Sequence, residues 1–160
     1  MTNPTAFIGR IQKVEPQWAD YNGHLNMAYY HVMFDRAADE AFGAMGLGAD
    51  YVKTRNASFF TVEAHVSYLR EVLIGDDVRV ETQILDFDAK RVHYVQSMYQ
   101  AEENYLACTT ENMVVHVSME SRKVAPFPDD VLSHIAEMAN AHKHLPVPVQ
   151  VGHKIGIVRK

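Results

Sequence analysis

The stretch around which this chain is organised is Trp18-Ala19-Asp20-Tyr21-Asn22-Gly23-His24-Leu25-Asn26-Met27, which leads directly into a long helical pattern. Its central seven residues, Asp20 to Asn26, include a carboxylate, two amides, a glycine and an imidazole. The free N–H groups of a helix's first turn and the positive end of its dipole point towards such a turn. The arrangement therefore predicts a place where a polarised carbonyl oxygen can be held.

The helical pattern runs from Asn26 to about Met45. Apolar residues recur there at steps of three and four, with polar residues on the other side, which predicts one amphipathic helix about 30 Å long. The apolar positions are Met27, Tyr30, Phe34, Ala37, Ala38, Ala41 and Met45. No proline interrupts the pattern, and three glycines at 43, 46 and 48 crowd its end, as expected of a helix C-terminus.

The rest of the chain favours strands. The predicted strands are residues 7–14, 58–69, 77–85, 91–100 and 105–118, and residues 50–56 read as a polar connection. Residues 129–141 predict a short helix, and residues 142–160 an extended basic arm, either packed on a neighbour or loose. Short turns between successive strands imply antiparallel neighbours. The expected fold class is α+β, with a domain over residues 1–141 and the arm at 142–160.

The composition argues against several classes of protein: those that bind nucleic acid, span a membrane or hold a metal. With 160 residues, a net charge of -5 and no basic stripe outside the tail, we expect one domain that does not bind nucleic acid. Neither a signal-peptide pattern nor an apolar run long enough for a membrane is present, so we expect a cytoplasmic protein. Cys108 is the only cysteine and lies in an apolar strand, so we expect an inert thiol. The histidines show no metal-binding spacing, and we expect neither a metal nor another cofactor.

In the order and spacing of its motifs, the sequence resembles the hotdog-fold acyl-CoA thioesterases, in the branch that includes 4-hydroxybenzoyl-CoA thioesterase. The residues that carry the resemblance are Asp20, Gly23, His24, Asn26, Tyr29, Phe34, Asp35 and Ala37, then Tyr68-Leu69 before Gly75-Asp76, then Met113–Val117, Ser121-Arg122-Lys123 and Pro126-Phe127-Pro128. The resemblance covers roughly residues 7–135. It implies one long central helix against an antiparallel sheet, an acyl-CoA substrate, and thioester hydrolysis without a cofactor. A lone sheet of this kind has exposed edges, so we expect a homodimer or homotetramer.

A closer resemblance is to the betainyl-CoA thioesterases of carnitine breakdown. It rests on residues 18–24, on Thr61-Val62-Glu63-Ala64-His65, and on Gly152-His153-Lys154-Ile155-Gly156. It implies that betainyl-CoA is the substrate. The dehydrogenase to which some of these enzymes are fused has no counterpart here, because the chain lacks its Gly-x-Gly-x-x-Gly motif.

The resemblance implies catalytic roles for several residues. Asp20 would act as nucleophile or as general base on water, although it could instead cap a turn or the helix. Backbone N–H groups around Gly23, His24 and Leu25 would stabilise the oxyanion, unless Gly23 is only a turn residue. His24 could orient the water or bond across a subunit interface, and Asn26 could position the carbonyl or cap the helix.

A second carboxylate, Glu63, lies in an apolar-rich strand. It is therefore either on the solvent face or near the site with a raised pKa. Asp35 on the helix is a further candidate, with a surface ion pair as the alternative.

A betainyl group carries a quaternary ammonium, which aromatic faces and a nearby carboxylate would hold. The predicted substrate-binding aromatic residues are Trp18, Tyr21, Tyr29, Phe59, Phe60 and Tyr68. Glu63 or Asp35 could supply the negative charge. Arg91 and Arg122 are the basic residues predicted to meet the CoA phosphates, with solvated loop charges as the alternative.

Two other functions remain open from the sequence. A hotdog-fold dehydratase acting on hydroxyacyl thioesters would pair His24 with Glu63. A non-catalytic module would bind acyl-CoA without releasing thiol, and fold alone does not choose among these.

Overall fold

A computed structural model describes residues 5–160 of the chain. The helices are α1 (Met27–Ala44), α2 (Tyr51–Arg55) and α3 (Asp129–His142), and the strands are β1 (Phe7–Ile8), β2 (Gln12–Lys13), β3 (Ala57–Tyr68), β4 (Asp77–Phe87), β5 (Arg91–Gln100) and β6 (Leu106–Ser118). A single turn of 3₁₀ helix, Pro16–Trp18, precedes the polar turn. No described helix is long and apolar enough to cross a membrane.

One antiparallel sheet carries the strands in the order β1-β4-β5-β6-β3, and β2 also pairs with β4. Helix α1 lies against one face of this sheet, since residues along α1 share both core clusters with strand residues. One long helix packed on one antiparallel sheet is the hotdog arrangement that the sequence predicted. The α+β class and the hotdog fold are therefore confirmed.

Two local predictions were wrong. The single strand expected over residues 7–14 is broken at residues 9–11, because the chain slips by one residue between its two pairings with β4. Gly9 lies close to α1 in this break, where an added Cβ would be 3.4 Å from that of Ala37. The connection at 50–56 contains the short helix α2, which ends at Asn56 with a left-handed φ of 49°.

The sheet face towards α1 is divided by a band of polar side chains. Thr82, Gln96 and Thr110 are direct neighbours across β4, β5 and β6, and all three are buried. The Gln96 Nε2 donates to the Phe34 carbonyl of α1 at 3.0 Å and to Thr82 Oγ1 at 3.2 Å. The band separates an apolar cluster around Met33 and Met98 from another around Phe42, Val92 and Ile135.

The other sheet face is partly covered by the chain's own C-terminal segment. His142 Nδ1 accepts a hydrogen bond from the Ile84 N–H at 3.0 Å, and the Gly152 N–H donates to Glu111 Oε2 at 2.7 Å. The segment from Leu145 to His153 therefore lies over the outer face of the sheet in the same chain, while residues 154–160 are exposed. Because this segment covers the outer side of β4, Gln83 is buried although it points away from α1.

Candidate active site

The polar turn before α1 is built by the Asp20 carboxylate. Its Oδ1 accepts hydrogen bonds from the Asn22 N–H at 2.8 Å and the His24 N–H at 3.2 Å. The Gly23 N–H donates to the Asp20 carbonyl, and Gly23 has a φ of 77°, which favours glycine. No hydrogen bond involves Asp20 Oδ2 among the described residues. One oxygen of this carboxylate therefore shapes the turn, and the other is available for chemistry.

The backbone N–H groups of residues 23–25 all have partners inside the chain. Gly23 donates to Asp20, His24 to the Asp20 carboxylate, and the Leu25 N–H to the Val72 carbonyl at 3.1 Å. In contrast, the N–H of Met27 has no partner within residues 5–160. The sequence analysis missed Met27, although it is the first helical residue, where an N–H is left free by the geometry of an α-helix.

His24 and Asn26 hold the edges of the turn. The His24 Nε2 lies 3.0 Å from Glu71 Oε2, on the loop that follows β3. Asn26 Oδ1 accepts from the Ala28 N–H at 3.0 Å and so caps α1, which is the structural alternative considered for it. Asp20, Gly23, His24 and Asn26 are therefore brought together at one helix N-terminus.

The predicted aromatic residues are not gathered in one place. Trp18 is buried and stacks on Tyr29 with ring centroids 5.5 Å apart, and Phe59 stacks on Phe42 in the other core cluster. Tyr21 is 99% exposed at the tip of the turn. Tyr68 lies beside the helix start, where its phenol donates to the Met27 carbonyl at 3.2 Å. Tyr29, in the first turn of α1, and Trp18, whose carbonyl accepts from the Asn26 N–H, lie at this end too. Phe60 is half-exposed, at a distance along β3 from that end.

Glu63 lies on the opposite face of the sheet from α1. It lines a cavity of about 280 Å³ with His65, His93, Glu111 and His153. The His93 Nε2 is 2.8 Å from Glu111 Oε1. Glu63 and the Asp20 turn are thus not brought together within one chain. The described residues contain no group of three or more acidic, histidine or cysteine side chains placed to hold a metal ion.

Of the predicted CoA-binding arginines, Arg91 begins β5 and Arg122 lies in the turn after β6. Arg91 donates from Nε to Asp88 Oδ2 at 2.7 Å, which lowers the pKa of the Asp88 carboxyl. Arg122 is exposed in the turn after β6, with a left-handed φ of 58°. Cys108 is fully buried, and burial raises the pKa of its thiol to about 12, in agreement with the expectation of an inert cysteine.

A groove between α1 and β3 contains the remaining carboxylate candidate. Asp35 lies at the groove, which has a volume of about 400 Å³ and reaches the polar band of the sheet. Its other polar lining residues are His31, Thr61, Tyr94, Gln96, Thr110 and Asn112.

The family described as "Thioesterase-like superfamily" matches residues 14–135. The chain is 39% identical to the betainyl-CoA thioesterase of Pseudomonas aeruginosa, over 90% of this chain and 91% of that protein. It is 33% identical to an L-carnitine dehydrogenase/betainyl-CoA thioesterase of Rhizobium sp, over 96% of this chain but only 32% of that longer protein. Among solved structures, it resembles SAV2348 from Staphylococcus aureus in complex with CoA, with a TM-score of 0.92, 28% identity and 99% coverage of both chains.

Proposed function

Because the chain belongs to the thioesterase-like superfamily and is an acyl-CoA thioester hydrolase, we propose betainyl-CoA as its substrate and Asp20 as its catalytic carboxylate. The observation that carries the substrate is the 39% identity to a betainyl-CoA thioesterase across nine-tenths of both chains. A structural relative with CoA bound supports an acyl-CoA ligand. The observation that supports Asp20 is that its Oδ1 accepts the hydrogen bonds of the turn, while its Oδ2 is left without a partner among the described residues.

In the proposed reaction, water adds to the thioester carbonyl carbon, the C–S bond breaks, and CoA leaves as the thiol. Asp20 Oδ2 either takes the proton from the attacking water or attacks the carbonyl itself, giving an anhydride that water then cleaves. In both routes the carbonyl oxygen gains negative charge. The free Met27 N–H at the positive end of α1 is the proposed donor to it.

The proposed working unit is a homodimer or a larger assembly of dimers. β3 is an edge strand of twelve residues within the described part of the chain, and it includes exposed apolar residues such as Phe60 and Val62. A long apolar edge of this kind favours pairing with another strand. Pairing with β3 of a second copy would satisfy its backbone groups and cover these side chains. The proposed location is the cytoplasm, in keeping with a single buried thiol.

The dehydratase alternative is not favoured. It would need His24 and Glu63 at one reacting centre, whereas His24 lies at the helix start beside Glu71 and Glu63 lies on the outer face of the sheet. A module that only binds acyl-CoA is also not favoured, because the relatives that match nearly the whole chain are named as thioesterases.

The proposal is tested by measuring thiol release from a panel of acyl-CoAs that includes betainyl-CoA. We expect Asp20→Asn to lower kcat by about 10²–10⁴-fold, the range typical of losing a general base. The asparagine keeps an oxygen for the Asn22 and His24 N–H groups, so the turn should remain intact. Asp50→Asn is the matched control, because Asp50 makes no side-chain cap bond at the start of α2.

Three results separate the parts of the proposal. Wild-type protein that releases no thiol from any acyl-CoA would contradict hydrolysis. Release from other acyl-CoAs but not betainyl-CoA would contradict the substrate. Turnover that survives in Asp20→Asn would show that another carboxylate does the chemistry.

A further inference from the structure

We propose that the groove between α1 and β3 binds the quaternary ammonium of the acyl group, with Asp35 supplying the charge and Tyr94 forming the inner wall. This inference rests on betainyl-CoA as the substrate. It assigns the groove a ligand of one chemical class, a cation that cannot donate hydrogen bonds. We call it the Asp35 groove.

The walls of the Asp35 groove combine apolar and polar side chains. The apolar ones that line it are Val32, Phe34, Ala38 and Ala64. They suit the methyl groups that surround a quaternary nitrogen, which are apolar on their surface although the group is charged. The groove's volume of about 400 Å³ is ample for a trimethylammonium group.

The charge on the groove is uncompensated. Asp35 and Asp39 lie one turn apart on α1, a like-charged pair of the kind that weakens a helix. Neither carboxylate forms a salt bridge among residues 5–160, because Arg36 turns away to Glu15 and Arg10 pairs with Glu40. Burial, followed by the nearby Asp35 charge, raises the pKa of the Asp39 carboxyl. A cationic ligand would relieve this repulsion.

Tyr94 is the independent sign that something binds here. Its side chain is only 3% exposed and lines the groove, yet its phenol has no hydrogen-bond partner among the described residues. The phenol oxygen is not sealed in the core either, since within residues 5–160 the fully enclosed side-chain N and O atoms without a partner are Gln12 Oε1 and His65 Nε2. It therefore opens into the groove. After burial, the charges of Asp35 and Asp39 raise the pKa of Tyr94, which agrees with both carboxylates lying near the phenol.

These features fit a quaternary ammonium. Such a cation is held by carboxylate charge and by aromatic faces, both of which act without a donated hydrogen. The amide N–H groups of Gln96 and Asn112 are already bonded to neighbours, so they do not compete with a cation for the Asp35 carboxylate. Among the side chains lining the groove, that of His31 is the one that can become positively charged, and it is exposed.

The position of the Asp35 groove has a consequence for assembly. Asp35 lies nine residues beyond the cap Asn26, which is about 13 Å along the helix axis. In a betainyl group only one carbon separates the ammonium from the thioester carbonyl. One such group cannot reach both Asp20 and Asp35 of the same chain, so the proposal pairs the groove of one copy with the Asp20 turn of a second.

The test compares betainyl-CoA with 3,3-dimethylbutyryl-CoA, its neutral isostere, in which carbon replaces the nitrogen. The measured quantity is the ratio of kcat/KM for the charged substrate to that for the neutral one. We expect Asp35→Asn to lower this ratio by about tenfold or more, the effect of losing roughly one strong charge contact. Asp35 is exposed at the groove's rim, so the variant should fold.

Glu137→Gln is the matched control, since it removes one exposed carboxylate from α3, away from the groove, and should leave the ratio unchanged. If the ratio is unchanged in Asp35→Asn while wild-type protein still hydrolyses betainyl-CoA, the groove does not bind the ammonium. The proposed substrate is not contradicted by that result. Equal loss on both substrates also overturns it, because Asp35 would then serve the thioester and not the cation. If wild-type protein does not hydrolyse betainyl-CoA, the substrate itself is wrong.

Discussion

At the residue scale, side chains that look alike in the sequence have different jobs in the structure. One carboxylate oxygen of Asp20 accepts the hydrogen bonds of the turn and the other has no partner among the described residues. The side-chain oxygen of Asn26, in contrast, caps α1. Glu63 lies on the outer face of the sheet, away from the helix. His142 is buried and accepts a backbone hydrogen bond from Ile84 on β4. Residue type alone would have allowed any of these to be catalytic.

His142 gives a prediction about stability and pH. Burial lowers its pKa below the ordinary value of 6.5, so the unfolded chain takes up this proton before the folded one. The contribution of neutral His142 is fully present above about pH 6.5 and is lost as the pH falls through the lowered pKa. We expect the free energy of unfolding of wild-type protein to fall between pH 7 and pH 5, and His142→Asn to show a smaller fall. Denaturant titrations at both pH values measure this.

The control for His142 is His144→Asn, which removes an exposed imidazole two residues away. It should keep the wild-type dependence on pH. Equal slopes in both variants and in wild-type protein would mean that His142 does not link protons to folding.

At the scale of the element, α1 concentrates the chemistry at its first turn. The helix begins where the sequence predicted, with Met27 as its first residue, and Asn26 takes the capping role, one of the two considered for it. The glycines at 43, 46 and 48 predicted its end, and α1 does end at Ala44, with Met45 as C-cap and Gly46 left-handed. That the Leu25 N–H is not available as a donor was not predictable, because it is taken by the carbonyl of Val72, which is distant in the chain.

The free N–H of Met27 can be removed without breaking the helix. Proline is favoured at the first helical position, and Asn26 already has the φ of -62° and ψ of 139° that suit a residue before proline. We expect Met27→Pro to lower kcat on the best acyl-CoA by about 10²–10³-fold, as for the loss of one oxyanion donor. Met27→Ala, which keeps the N–H, should retain nearly all activity. If both variants are equally active, the oxyanion is stabilised elsewhere.

At the scale of the whole molecule, the sheet has a closed side and an open one. β1, β2 and the C-terminal segment protect the β4 side, where Gln83 meets Leu145. The β3 side has no strand beyond it among the described residues, and Val62 forms a bulge there with 59% of its surface exposed. The Asp35 groove opens beside this same edge. In the two proposals made above, assembly and substrate binding therefore both depend on β3.

A charge on that edge should separate the copies. Lysine on an edge strand opposes strand pairing, so we expect Val62→Lys to shift the protein from dimer to monomer in sedimentation equilibrium and to lose thiol release. Val124→Lys is the control, since Val124 is exposed in the turn after β6. A Val62→Lys protein that stays dimeric, or a wild-type protein that is active as a monomer, would contradict pairing through β3.

Local sequence patterns were enough to predict the long helix α1 and the four long strands. The three- and four-residue spacing from Met27 to Ala41 and the alternation of Val78, Val80, Thr82 and Ile84 are local signals, because each records which side of a helix or strand is buried. The motif around Asp20 likewise lies within one short stretch, so its resemblance to the thioesterases could be read directly.

The tertiary structure alone decided which elements became neighbours, and so which residues share a site. Periodicity says that Glu63 and Ala64 face opposite ways, but only the placement of α1 on one sheet face sends Glu63 away from the helix and opens a groove at Asp35. Tertiary contacts also decide the places of two aromatic residues. Trp18 is buried where it stacks on Tyr29, and the phenol of Tyr94 reaches the groove. These outcomes depend on contacts between residues far apart in the chain, which no local pattern specifies.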